Sequence, residues 1–300
     1  MTRYLACNIK PGETNGETTV LDYLAHRFTY HSRDEWRGLV CAGRVLANSL
    51  PADPGLVATA GMRLDYFPDD SAEPPVDDAV QILGEYPGFL AVNKTGNLPC
   101  HPGGRYFNNT LWSLAKSKLN IATPFIINRL DRETSGVCLV ARDPETAARL
   151  AKLFSSRLAR KTYLAIVHGV FPETLEASGI LESDPKSAVR KKLRFVQGGP
   201  AFCSTRFRRL ACDGNFSQIE IEPLTGRTHQ IRATLLGVGF PIVGDKLYGL
   251  DETLFLRHCD GALTADDLAL LRLPRQALHA HTLDLPPDLH FCAPLPNEMQ

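Results

Sequence analysis

The sequence predicts an α+β protein in two parts, a small helical head and a larger body built on one substantial sheet. Three observations carry that prediction. The first 67 residues show helical apolar spacing followed by short strand patterns. The rest alternates apolar strands with an amphipathic helix. Between them lies Pro68–Asp78, PDDSAEPPVDD, whose prolines and carboxylates cannot form a core and read as an extended, solvated linker. The expected organisation is a head over 1–67, a linker over 68–78 and a body over 79–300.

In the head, Leu21, Leu24, Ala25 and Phe28 recur at i, i+3, i+4, i+7, one helix stripe. Ser32 and Glu35 have capping-box spacing ahead of Trp36, Leu39 and Val40. Gly43 closes that second helix, and Arg44–Asn48 reads as a strand entering a turn. In the body, Phe89–Asn93, Gly136–Ala141, Tyr163–His168 and Phe216–Glu222 read as strands. Asp143 and Pro144 suit the N-cap and first position of a helix with Ala147, Leu150, Ala151, Phe154 and Leu158 inward. Leu254–Arg275 reads as a helical excursion with no evident role.

Composition excludes several classes. With 44% hydrophobic and 22% charged residues among 300, the chain is neither disordered nor fibrous. No apolar stretch approaches the roughly eighteen residues of a membrane span, and the N-terminus lacks an apolar signal core, so a cytoplasmic protein is expected. Eight cysteines without a C-x-x-C pair read as reduced, mostly buried thiols, and no metal-ligand spacing accompanies His229.

The formal net charge of zero conceals a pattern. Residues 1–100 carry 8 basic and 13 acidic side chains, residues 101–250 carry 22 and 12, and residues 251–300 carry 3 and 8. A basic middle of +10 is an electrostatic footprint for a polyanion. Its clusters are Arg149, Lys152, Arg157, Arg160 and Lys161; Arg190, Lys191, Lys192 and Arg194; and Arg206, Arg208 and Arg209.

The segment richest in chemistry is Ile127–Asp143, INRLDRETSGVCLVARD. Asp131 stands between Arg129 and Arg132, whose charges favour an ionised carboxylate able to act as nucleophile or base. Taken alone, the same pattern also fits a surface ion pair in a loop.

NRLDRETSG, then RKTYLAIVHG, then PLTGRTHQIRATLLGVGFPIVGDKLYG together resemble the RluA-type RNA pseudouridine synthases. The resemblance runs from about Glu85 to Leu278-His279-Ala280 and includes Val92-Asn93-Lys94-Thr95-Gly96. The head, with Ser32-Arg33 and Gly43-Arg44-Val45, resembles the S4 RNA-binding module, though it is less basic. The resemblance implies a pseudouridine synthase body with a mixed, largely antiparallel central sheet and a small S4-like αα-β head. It implies isomerisation of chosen uridines in structured ribosomal or transfer RNA, without cofactor or metal and with no obligatory protein partner evident. It makes Asp131 the essential aspartate, Tyr163 the tyrosine that packs on the base and serves proton transfer, and Arg232 the cation paired with Asp131. Arg129 matches the arginine that fills the stack after the uridine flips out. Arg132, Arg227, His229, Lys161, Arg190, Lys191 and Lys192 are the further expected RNA contacts, and Thr228 is the expected N-cap of the helix bearing Arg232. Two departures from the family pattern are Asn128, where histidine is usual, and Thr95, where proline is usual. The rival expectation is a non-catalytic RNA-binding protein that keeps the fold. An unrelated aspartate-dependent hydrolase would need a second catalytic carboxylate.

Overall fold

A computed structural model describes residues 5–28, 30–68, 73–199 and 202–300. It divides into two units, Met1–Pro75 with Pro102–Asn108, and Val76–His101 with Asn109–Gln300. Of the acidic segment 68–78, residues 69–72 lie outside the described residues. The described remainder is not merely solvated. Glu73 accepts from the backbone N–H of Phe107 and Asn108, both at 2.9 Å, within the first unit. Asp78 pairs with Lys118, and the Asp77 carbonyl accepts from the Thr95 hydroxyl, within the second.

The first unit packs α1 (Val20–Arg27) and α2 (Arg33–Cys41) on a four-stranded antiparallel sheet. Its strands are β1 (Leu5–Asn8), β2 (Val45–Ala47), β3 (Leu50–Pro51) and β4 (Arg63–Tyr66), in the order β1-β4-β2-β3. The Ser32–Glu35 capping box is formed in both directions. Leu21 and Leu24 are buried with Trp36 and Val40, so the helix stripe faces the sheet as its spacing predicts. Strand β1, ahead of the helices, has no counterpart in the sequence reading.

The second unit is an eleven-stranded sheet. Its strands are β5 (Gln81–Tyr86), β6 (Phe89–Lys94), β7 (Phe125–Ile126), β8 (Ser135–Ala141), β9 (Arg160–His168), β10 (Thr174–Ser183), β11 (Leu193–Gln197), β12 (Cys203–Cys212), β13 (Phe216–Pro223), β14 (Leu278–Leu285) and β15 (Leu289–Cys292). The order is β11-β10-β12-β13-β9-β14-β8-β6-β5, with β15 on β14 and β7 on β8. Every pairing is antiparallel except β14 with β8. Helices α3 (Leu111–Ser117), α4 (Pro144–Ser155) and α5 (Gln230–Gly237) cover its faces, and α6 (Thr253–Cys259) and α7 (Ala265–Leu271) form the excursion. Among the described residues no helix is long and apolar enough to cross a membrane.

Strand β8 shows why its sequence lacks polar alternation: it is buried on both faces. Cys138 and Val140 join one core with Leu111, Leu114 and Ala115 of α3. Val137, Leu139 and Ala141 join another with Leu150 of α4. Asp143 caps α4 by accepting from the Thr146 N–H, with Pro144 in the first turn. At the parallel seam β8 meets β14 very closely. A side-chain carbon on Gly136, at φ 116°, would lie 2.1 Å from the Ala280 carbonyl oxygen, so only glycine fits. Ala280 also pairs with Tyr163 on β9, so Gly136, Ala280 and Tyr163 form one row across three strands. The seam therefore brings the β8 entry and the β9 tyrosine together.

Candidate active site

Asp131 sits in a tight turn at the entry to β8, closed by the Thr134 N–H donating to the Asp131 carbonyl at 3.1 Å. Charged groups hold that turn from below. Lys94, at the end of β6 and fully buried, donates to the carbonyls of Thr95 and Leu98 at 2.8 Å and of Arg132 at 3.2 Å. Burial lowers its pKa to about 8, and the nearby Cys100, Cys138 and Asp131 act against that shift. Lys246 grips both oxygens of Glu133 at 3.0 Å, and Arg275 donates to the Glu133 carbonyl at 2.9 Å. Burial works against the Glu133 charge, but Lys246 and Arg132 hold its carboxyl below the usual range.

The two guanidiniums adjacent in sequence do not serve Asp131. Arg129 is exposed and forms no ion pair among the described residues, while Arg132 donates to Glu133 at 2.9 Å and to His258 at 2.8 Å. The partner comes instead from 101 residues downstream: Arg232 Nη1 donates to Asp131 Oδ2 at 2.7 Å. A backbone turn points adjacent side chains apart, so sequence neighbours seldom converge on one carboxylate. The other edge of Arg232 forks onto Asp245, Nε to Oδ2 at 2.6 Å and Nη2 to Oδ1 at 2.9 Å. Its carbon centre lies 4.8 Å from the ring centroid of Tyr248.

Asp245 has no exposed side-chain surface and accepts further bonds from the N–H groups of Leu247 and Tyr248. Burial opposes both of these charges. The Asp245 charge overrides it in Arg232, whose pKa is raised, and the Arg232 charge overrides it in Asp245, whose pKa is lowered. Arg232 is thus fixed along one edge, and Asp131 takes what remains. The Asp131 side chain stays 32% exposed. Its second oxygen, Oδ1, faces His229 Nε2 at 3.9 Å, too far for a hydrogen bond. One oxygen is oriented, and the other has no hydrogen-bond partner among the described residues and is chemically able to act as nucleophile or base.

His229, not Thr228, occupies the N-cap of α5, in left-handed conformation at φ 55° and with no side-chain cap. Gln230 ties the loop instead, accepting from Thr225 Oγ1 at 2.7 Å and from the Arg227 N–H at 3.0 Å. His229 Nδ1 meets the Tyr248 hydroxyl at 2.9 Å, which aims Nε2 toward Asp131. Burial chiefly lowers the pKa of His229. On β9, burial and then the Asp131 charge raise the Tyr163 pKa, so its phenol is a neutral hydroxyl near the carboxylate.

The remaining expected contacts divide. Lys161 approaches the turn before α5, where a carbon on Gly226 would lie 3.6 Å from Nζ. Arg227, Arg190 and Lys191 are exposed without ion pairs among the described residues, and the Lys191 charge is felt at His229. Lys192 is not available in that way, because it pairs with Glu252 at 2.7 Å. Nor is the third basic cluster wholly free. Arg206 and Arg208 lie directly opposite Glu222 and Glu220 and pair with them, and in the second cluster Arg194 pairs with Glu182. The thiols also differ from expectation: Cys41, Cys212, Cys259 and Cys292 are exposed, and only Cys100, Cys138 and Cys203 are buried.

Comparison with known proteins follows the same residues. The family model described as RNA pseudouridylate synthase matches residues 88–236. An RNA pseudouridine synthase of Haemophilus influenzae is 30% identical over 170 residues, which span 57% of this chain and 74% of that protein. The chain belongs to the RNA pseudouridine synthase family. RNA pseudouridine synthase 7 of Arabidopsis thaliana is 32% identical over 77% of this chain and 60% of its own length. The chain spans between half and two thirds of the first curated relatives it matches. Among solved family structures, human RNA pseudouridylate synthase domain containing 4 is 26% identical, with a TM-score of 0.55 over 73% of this chain and 90% of that one.

Both departures from the family pattern have a structural use. Asn128 Nδ2 donates to the Val137 carbonyl at 2.9 Å and its Oδ1 accepts from the Leu139 N–H at 2.8 Å. The side chain continues the ladder of β7 on β8 by one step. Thr95 donates its hydroxyl to the Asp77 carbonyl, a bond proline could not make.

The sequence reading missed Asp245, Lys246, Tyr248 and Lys94 as parts of the site. A signal was present: Asp245 and Lys246 interrupt the apolar run PIVGDKLYG, where unpaired charges would be costly.

Proposed function

We propose that the chain isomerises specific uridines in structured ribosomal or transfer RNA to pseudouridine, with Asp131 as the reacting carboxylate. The single observation that carries this reading is the geometry of Asp131, with one oxygen fixed by a buried arginine and the other open toward the site. In the reaction the N-glycosidic bond breaks, a bond from the ribose carbon to C5 of the uracil forms, and the C5 proton leaves to solvent. Asp131 either attacks the uridine or removes a ribose proton. Tyr163, kept neutral by its burial, offers a ring for stacking and a hydroxyl for proton transfer. Arg129, exposed beside the turn, fills the stack vacated by the flipped base. Arg132, Arg227, Lys161, Arg190 and Lys191 supply phosphate contacts, with His229 lining the approach.

The head over 1–67 acts as an S4-like RNA-binding module, supported by its capped helix pair followed by antiparallel strands. Its charge contribution is small, because Arg33 pairs with Asp22 and Arg37 with Asp34. Eight free cysteines suit a reducing compartment, and we place the protein in the cytoplasm. RNA tritiated at uridine C5 tests the activity. The protein should release tritium without added metal or nucleotide, and pseudouridine should form in equal amount. Binding without release from any cellular RNA would leave a non-catalytic RNA-binding protein.

A further inference from the structure

The excursion carrying α6 and α7 stands outside the sheet, yet it touches both sides of the Asp131 approach. At the start of α6, Glu252 pairs with Lys192 at 2.7 Å and accepts from the Ala188 N–H at 3.2 Å, holding the loop that carries Lys191. Six residues later, His258 Nε2 lies 2.8 Å from Arg132 Nη2, in the turn that presents Asp131. Leu254, one helical turn before His258, is buried and seats that face of α6. The neighbouring Arg257 ties the helix to α7, forking onto Asp267 with both bonds at 2.8 Å, and Asp267 closes the Thr264 capping box. A short helix anchored at both ends holds His258 in place.

A guanidinium has only donors, so the ring nitrogen that meets Arg132 must be the bare acceptor of a neutral imidazole. We infer that His258 is a positioning residue for the proposed reaction: as a neutral acceptor it fixes Arg132, and with it the Asp131 turn, while Glu252 fixes the Lys191 loop. The excursion then sets the spacing between the reacting carboxylate and a phosphate-binding loop. This inference rests on the reading of Asp131 as the reacting group.

The charged surroundings make the contact sensitive to acid. Arg132 and Glu133 face His258 from the turn, Glu133 at 3.9 Å, and Lys246 faces it from the loop after α5. On its own helix, Arg257 is turned to Asp267 and Asp251. Protonation would remove the acceptor and add a third cation against a single carboxylate. Burial first, and Lys246 next, hold His258 below its ordinary value, so the neutral form prevails at pH 7. As pH falls, His258 gains a proton and releases Arg132.

The test compares wild type, His258→Ala and His258→Gln in steady-state tritium release from pH 5 to 8. The alanine variant should lose about tenfold in kcat at pH 7, with KM for RNA within about twofold, since small misplacements of a reacting group are costly. Glutamine offers an amide oxygen and does not titrate. It should restore at least a third of wild-type kcat and remove the part of the acid limb that His258 contributes. An unchanged acid limb in His258→Gln, or a change in KM alone, overturns the inference. If wild type releases no tritium, the proposed activity itself fails, and the contact is then read by imidazole NMR titration. Replacing Arg132 by glutamine should raise the His258 midpoint, as removal of a neighbouring cation requires. An unmoved midpoint overturns the contact.

Discussion

The Asp131–Arg232–Asp245 cluster and the outer ladder of β10, β12 and β13 are built from the same parts, arginines facing carboxylates. Their surroundings give them opposite roles. In the ladder, Arg206 and Arg208 lie across from Glu222 and Glu220 with all four side chains a third or more exposed. Water competes for every bond there, and each pair mainly cancels charge. In the cluster, Asp245 is wholly buried and Arg232 nearly so, and the Leu247 and Tyr248 N–H groups add two bonds to the Asp245 Oδ1 that Arg232 Nη2 also holds. Water is excluded, and the pair becomes a fixed frame that presents one arginine edge to Asp131. The basic middle of the sequence therefore contains three kinds of cation: neutralised, buried in the frame, and exposed without a partner. The last kind is the best suited to phosphate.

The comparison can be broken at several points. The largest effect is expected from Arg232→Ala, which leaves Asp245 buried without its partner and should cost about 3–5 kcal/mol. Chemical denaturation measures it, and a loss below about 1 kcal/mol would mean that water enters the cluster freely. Tyr163→Phe keeps the ring and removes the hydroxyl. If that hydroxyl moves a proton, kcat should fall by about a hundredfold or more with little change in RNA affinity. Next comes Lys191→Glu. This change should weaken RNA binding and lower the slope of log affinity against log salt by about one contact, measured by filter binding across salt concentrations. An unchanged slope would return Lys191 to the class of merely solvated cations. The smallest effect belongs to Arg208→Ala, which should change stability by no more than about 1 kcal/mol and leave tritium release intact. A larger loss would show that the ladder does more than cancel charge.

The parts of the fold read most clearly from sequence were those set by local periodicity. The α1 stripe, the Ser32–Glu35 box, the Asp143–Pro144 start of α4 and the alternation of β13 each depend on residues within a few positions of one another. The segment 102–108, which groups with the head, is separated from it in sequence by strands β5 and β6 of the body and leaves no local trace. The same divide runs through the candidate site. Asp131, Tyr163 and Arg232 were legible because family motifs surround them. Adjacency suggested that Arg129 and Arg132 hold the aspartate, but a tight turn sends them elsewhere, and the real partner lies on α5. Lys94 and His258 were illegible because each meets Arg132, one through its carbonyl and the other through its guanidinium, far away in the chain, and Asp245 left only the signal of a charge in an apolar run. Thr228 lost the N-cap to His229 because Gln230 closes the loop from inside the helix.

Asp131→Asn tests the central claim most directly, because it keeps the shape of the side chain and removes its charge and nucleophilicity. The measurement is the single-turnover rate of pseudouridine formation, with RNA affinity and thermal unfolding recorded on the same preparation. The account predicts a rate at least about a thousandfold lower, in line with removal of an essential reacting group, with RNA binding within about twofold of wild type. A rate within tenfold of wild type from folded, RNA-bound protein would contradict it.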